Sequence, residues 1–134
     1  MNMQKITVYC AVICGEEILL LERREPRVME FPGGRIEFGE KPKEAAIREL
    51  KEETGIKVRE ESVGILCVSS TVYPEGKTQQ IVILYSLELP EKPEIKISDE
   101  HRGYRWVRLS EIERIPNLAL SVRACLNEIK RKLG

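Results

Sequence analysis

Three glutamates packed into little more than one helical turn constrain this chain more than anything else in it. They stand in Arg48-Glu49-Leu50-Lys51-Glu52-Glu53-Thr54-Gly55-Ile56, which follows Gly34-Arg35-Ile36-Glu37-Phe38-Gly39-Glu40. An α-helix turns about 100° per residue, so with Glu49 at zero Glu53 lies about 40° to one side and Glu52 about 60° to the other. The three carboxylates share one narrow face. Ala46, Ile47, Leu50 and Thr54 fill the next sector, the natural core stripe. Glu44, Arg48 and Lys51 fall in a third sector, read as solvent-facing. Like charges on adjacent turns weaken a helix. Where they are also partly buried, one must take up a proton or pair with a cation. Hard cations such as Mg²⁺ prefer oxygen ligands and commonly bridge carboxylates to substrate phosphates. The acidic face is therefore a candidate metal site. Pro42 suits a helix start and Gly55 a C-cap, which predicts a helix from about Pro42 to about Thr54.

The rest of the chain alternates strand and helix signals. Ile6–Cys14 and Ile18–Arg23 read as strands joined by a Gly15-Glu16 turn. Residues 25–30 read as a polar loop and Pro32–Gly34 as a turn. Val63–Thr71 and Gln80–Leu89 are β-rich, and residues 104–109 give a further strand. Tyr104 and Trp106 share its parity and are read as core. Ser110-Glu-Ile-Glu113 has the form of a capping box, and Pro116 ends the short helix it opens. Leu118, Val122, Cys125, Leu126, Ile129 and Leu133 are spaced for one helix. This is an α/β arrangement with a mixed sheet.

At 134 residues the length suits one domain. A formal net charge of +0 supplies no long-range field to recruit nucleic acid or a membrane. The four cysteines, Cys10, Cys14, Cys67 and Cys125, form no C-x-x-C pair, so they are read as free thiols of a cytoplasmic protein. Ile6–Cys14 is apolar but too short to span a bilayer, and it shows no cleavage pattern of a signal peptide.

The run from Gly34 to Ile56 resembles the Nudix box at every defining position, and Phe31-Pro32-Gly33-Gly34 resembles its usual lead-in. Its seven fixed and two apolar positions would coincide by chance on the order of once in a million chains or less. The resemblance implies a single Nudix hydrolase domain over residues 1–134, folded as an α/β/α sandwich with a mixed β-sheet. The box helix would pack on one side and the C-terminal helix on the other. It also implies hydrolysis of a nucleoside diphosphate linked to another group, X, by water attack on phosphorus. The cofactor would be Mg²⁺, with Mn²⁺ as a substitute. By the same resemblance Glu52 and Glu53 are the core metal ligands, and Glu49 is a further ligand or the base. The backbone carbonyl of Gly33 is an added ligand, Arg48 orients the glutamates, and Glu40 connects loop to helix by hydrogen bonds. Some members recruit a later glutamate; Glu100 is the candidate here and Asp99 the runner-up. His101, the only histidine, is read as structural.

Residues that would choose X lie outside the box, around Arg23, Tyr73, Glu100 and Asn117. Arg23 and Arg35 are candidates to clamp phosphates bidentately. Tyr73 is a candidate base-stacker, in a position similar to a tyrosine of diadenosine polyphosphate hydrolases. Glu30-Phe-Pro-Gly-Gly34 and Asn117 are similar to MutT-like nucleoside triphosphatases, in which an asparagine reads a purine edge; Asn117 equally suits a turn after Pro116. Nucleoside triphosphates, dinucleoside polyphosphates and ADP-ribose-type nucleotides all remain as small-molecule substrates. Two other classes compete: a non-catalytic nucleotide-binding sensor module, which does not need all three glutamates, and an RNA 5′-end pyrophosphohydrolase, which the neutral charge disfavours. A homodimer would be in keeping with the family, although no exposed apolar stripe is evident in the sequence.

Overall fold

The computed structural model describes residues 1–134. Strand β1 (Met3–Cys14) turns at Gly15-Glu16 into β2 (Glu17–Arg23). Two short strands follow, β3 (Met29–Glu30) and β4 (Gly33–Arg35), where the sequence suggests only loop and turn. Helix α1 spans Pro42–Thr54, as its spacing predicts. The Lys41 N–H donates to Glu44 Oε1 at 2.8 Å at its start. Gly55 closes it in the left-handed region at φ +79°, its N–H bonded to the Lys51 carbonyl. Then come β5 (Val63–Val72), β6 (Thr78–Glu88) and β7 (His101–Arg108).

The C-terminal segment departs from expectation twice. Leu109–Arg114 is a 3₁₀ turn whose start carries no side-chain cap, so Ser110 opens no capping box. The single helix expected over residues 118–133 is two, α2 (Leu120–Arg123) and α3 (Leu126–Leu133). The Cys125 N–H reaches back only to Val122, which breaks the helical ladder.

The sheet is mixed, in the order β3-β2-β1-β6-β5, with β4 also paired to β1 and β7 to β2. β1 runs parallel to β6 and antiparallel to β2 and β4. It pairs with β2 only near their shared turn. Beyond it the strands diverge, β1 toward β4 and β2 toward β7.

Apolar residues cover both faces of β1, the pattern of a strand buried between layers. Val8, Cys10 and Val12 pack with Ala45, Ala46 and Leu50 of α1. Tyr9, Ala11 and Ile13 pack with Val122, Cys125 and Ile129 of the C-terminal helices. The fold is an α/β/α sandwich. The four cysteines are free; Cys10, Cys67 and Cys125 are buried and Cys14 is half-buried. Tyr104 is not core but 45% exposed. Trp106 is half-buried, with Lys92 Nζ 5.6 Å from its ring centroid. An apolar stripe that the sequence did not reveal lies on β5, where Ile65, Val68 and Val72 are exposed. No helix is long and apolar enough to cross a membrane.

Candidate active site

Two glycines let the acidic face of α1 approach the sheet. Gly33 lies opposite Tyr9 in the β4–β1 ladder, and a side chain there would strike the Val8 carbonyl at 2.1 Å. Its N–H donates to Glu53 Oε1 at 2.9 Å. At Gly34 a Cβ would come within 3.0 Å of the Glu49 carboxylate. The strand's bare backbone thus meets the helix's glutamate side chains directly.

The three helix carboxylates differ in depth. Glu53 is buried, Glu49 half-buried and Glu52 exposed. Burial, reinforced by Glu49, Glu30 and Glu100, pushes the Glu53 carboxyl up to about 9, against the opposing Gly33 N–H. Burial also raises Glu49, opposed mainly by Arg48.

Arg48 does not face solvent as the helical wheel suggests. Its Nε and Nη2 donate to the two oxygens of Glu40 at 2.7 and 3.0 Å. Nη2 also donates to the Arg35 carbonyl at 3.1 Å. Nη1 donates to Glu49 Oε1 at 2.9 Å and lies 3.3 Å from Glu52 Oε2. The hydrogen bonds to Glu40 do most to hold the guanidinium above its ordinary value. Glu40 in turn is lowered by Arg48 and by the Glu37 N–H, which ties loop to helix.

A cleft of about 580 Å³ gathers most of the residues singled out from the sequence: Gly33, Glu49, Glu53, Arg23, Arg35, Tyr73 and Glu100. Lys5 Nζ sits 4.9 Å from the Tyr73 ring centroid. Asn117 is not among the lining residues. Its Nδ2 donates to the Arg27 carbonyl at 3.3 Å and its own carbonyl accepts the Met29 N–H, so it serves the turn.

Sequence reasoning missed the floor of the cleft. Gln80 Nε2 donates to Thr7 Oγ1 at 2.9 Å and to the Tyr9 hydroxyl at 3.3 Å. Lys5, Thr7 and Tyr9 alternate with apolar Ile6, Val8 and Cys10 along β1, and that signal could have found them. It also missed Glu30, which is buried in the wall and bonded to His101 Nε2 at 2.9 Å.

The donor chemistry suits a hard divalent cation. Carboxylate oxygens cluster in a partly dry cleft, and Arg48, the helix's counter-charge to them, is largely committed to Glu40. As the side chains stand, no three His, Cys, Asp or Glu groups are arranged to hold an ion. Glu53 is turned to Gly33 by its Oε1 and Glu49 to Arg48 by its Oε1, which leaves the other oxygen of each without these partners.

The NUDIX domain model matches residues 3–128. The chain belongs to the NUDIX family. Its fold follows a solved structure, that of the MutT protein from Methanosarcina mazei Go1. The TM-score is 0.83 at 27% identity, covering 98% of this chain and 96% of that one. Among curated relatives, it is 32% identical over 93 residues to a putative 8-oxo-dGTP diphosphatase of Bacillus subtilis, covering 69% of this chain and 58% of the relative. It is 33% identical over 81 residues to the asymmetrical bis(5′-nucleosyl)-tetraphosphatase of Mus musculus, covering 60% of this chain and 55% of the relative. The Nudix chain thus spans little more than half the length of these relatives.

Proposed function

We propose that this Nudix domain hydrolyses a pyrophosphate bond of a nucleoside diphosphate linked to X, with the help of a divalent cation. One observation carries the reading: buried Glu53 lies beside Glu49 in a cleft that also holds Arg23 and Arg35. Paired carboxylates at that depth hold a proton or a cation, and the arginines suit the phosphates that a divalent cation accompanies.

Glu49, Glu52, Glu53 and the Gly33 carbonyl would hold Mg²⁺ or Mn²⁺. When bound, the ion neutralises phosphate oxygens and acidifies water. Arg48 keeps Glu49 and Glu52 oriented. Glu49 or Glu100, both in the cleft, accepts the proton of the attacking water. The water oxygen bonds to phosphorus, the bridging P–O bond breaks, and the departing phosphate carries away the bond pair. Arg23 and Arg35 hold the phosphate chain, and Tyr73 offers a face for a base. Asn117, bonded within its turn, has no base-reading role in this account.

The relatives' names support candidates for X of two kinds, further phosphates or a second nucleotide joined through polyphosphate, and ADP-ribose-type nucleotides complete the set. The test is a panel of nucleoside triphosphates, oxidised triphosphates, dinucleoside tetraphosphates, ADP-ribose and 5′-triphosphate RNA, run with Mg²⁺ or Mn²⁺ and again in excess EDTA. Metal-dependent turnover of at least one nucleotide is expected. Binding without turnover would make this a sensor module, and undiminished turnover in EDTA would remove the metal from the account. A second copy of the chain would find its apolar contact on β5; a sedimentation profile that stays monomeric at high concentration would exclude that dimer.

A further inference from the structure

Two residues of a polar cluster at the cleft wall, Glu30 and His101, play no direct part in the hydrolysis. Glu30 of β3 is 7% exposed. Its Oε2 meets His101 Nε2 at 2.9 Å, and its Oε1 lies 3.6 Å from Arg23 Nη1. The side chain of His101 is fully buried. Strand register assembles the three residues: Glu30 pairs with Leu21, and a bulge at Glu22/Arg23 sets Arg23 opposite His101.

A carboxylate only accepts, so Nε2 of the imidazole carries the hydrogen between them. The other ring nitrogen, Nδ1, is buried with no partner, and so is the Ser98 hydroxyl. Both belong to one turn, in which the His101 N–H donates to the Ser98 carbonyl at 3.1 Å. A hydroxyl rotates freely and can donate to a bare ring nitrogen, directly or through one water. Two buried, orphaned polar atoms in one turn are costly unless they meet.

The cluster holds one functional group, Arg23, and adjoins the turn of another, Glu100. Arg23 Nε is fixed by the Glu25 carbonyl at 3.2 Å and Nη1 is drawn toward Glu30, while the rest of its fork has no protein partner. The turn that presents Glu100 is tied on three sides. The Arg24 N–H donates to the Glu100 carbonyl, Arg24 Nε to the Asp99 carbonyl, and the Ser98 N–H to the Glu53 carbonyl.

We propose that Glu30 and His101 are positioning residues, a buried pair that aims Arg23 at the substrate phosphates. This rests on the pyrophosphate reading above. His101 itself is no proton acceptor for the reaction, because its ring is sealed from the cleft and its Nε2 is engaged by Glu30.

The experiment is a double-mutant cycle on the panel nucleotide that the wild type hydrolyses fastest. His101→Gln and Arg23→Ala are each expected to raise KM about tenfold or more, with kcat within about threefold. The double variant should be no worse than the poorer single by more than about twofold, since both changes remove one device. Losses that multiply, or a folded His101→Gln with wild-type KM, overturn the proposal. If His101→Gln does not fold, Glu30→Gln keeps an acceptor for the ring but removes the charge that holds Arg23. It should raise KM at least about threefold, and an unchanged KM overturns the proposal. The chain's one histidine gives a single imidazole signal in nitrogen NMR. That signal should report the Nε2–H tautomer, and an Nδ1–H tautomer overturns the pairing. A wild type that turns over nothing defeats the pyrophosphate reading instead, whereas an active wild type whose KM ignores both residues defeats only this inference.

Discussion

Arg48 and Glu40 face each other as a two-pronged pair, Nε to Oε2 at 2.7 Å and Nη2 to Oε1 at 3.0 Å. This grip leaves Nη1 pointing at Glu49 and Glu52. A lysine at position 48 could reach one of these carboxylates but could not form the fork. Arg48→Lys should therefore lower kcat by about 10- to 100-fold while the fold is kept. Steady-state kinetics beside a circular dichroism spectrum read both, and wild-type kcat in a folded variant would remove Arg48 from its orienting role.

Glu53 makes stability depend on pH in the metal-free chain. Its folded carboxyl holds a proton to about pH 9 instead of the ordinary 4.5. Over that interval the folded state binds more protons than the unfolded one, so stability is greatest below it and falls as pH rises through it. Glutamine keeps the shape and never ionises. Glu53→Gln should thus be more stable than wild type at pH 8 by roughly 1–3 kcal/mol, with the gap closing toward pH 5, and it should lose turnover. Urea melts in EDTA at several pH values check this; a gap independent of pH would contradict it.

Divalent cations should stabilise the folded chain, because a ligand that binds only the native state raises its stability by mass action. Adding Mg²⁺ to EDTA-treated wild type is expected to raise Tm by a few degrees and restore turnover. Glu52→Gln and Glu53→Gln should lose most of that Tm increment. Thermal melts with and without Mg²⁺ decide it, and an increment retained in both variants would move the metal elsewhere.

Gly33 and Gly34 should respond differently to alanine. At Gly33 the added carbon meets backbone, the Val8 carbonyl at 2.1 Å, which cannot yield without parting β4 from β1. A loss of about 3 kcal/mol or more, or failure to fold, is expected. At Gly34 the neighbour is the movable end of Glu49 at 3.0 Å. Gly34→Ala should stay within about 1.5 kcal/mol of wild type yet lose activity about tenfold as Glu49 is displaced. Chemical denaturation and kinetics on both variants test the contrast.

Features set by near neighbours were legible in the sequence. Pro42 and Gly55 fixed both ends of α1, and the Gly15-Glu16 turn fixed the first hairpin. Features that need distant partners were not. The wheel sent Arg48 to solvent because it cannot show the loop that folds Glu40 back over it. Glu30 and His101 are 71 residues apart, and only the β2–β3 and β2–β7 registers bring them together. The apolar spacing from Leu118 to Leu133 runs straight through the break at Cys125, because periodicity records which side is buried and not whether the backbone ladder is continuous. Ser110 had the letters of a capping box, but a 3₁₀ turn starts one residue earlier and leaves it nothing to cap.

The parallel pairing of β1 with β6 sets an order of events for the newborn chain. The acidic helix is complete by residue 54, but the strand that flanks β1 on its other side begins only at Thr78, and partners such as Gln4 and Gln79 are 75 residues apart. A ribosome adding about 5–20 residues per second exposes the glutamates for a second or more before that sheet can close. Such long-range closure also slows folding. The helix's crowded negative charge is therefore solvated and harmless while it waits, and it becomes costly only when the finished sheet draws Glu53 out of water.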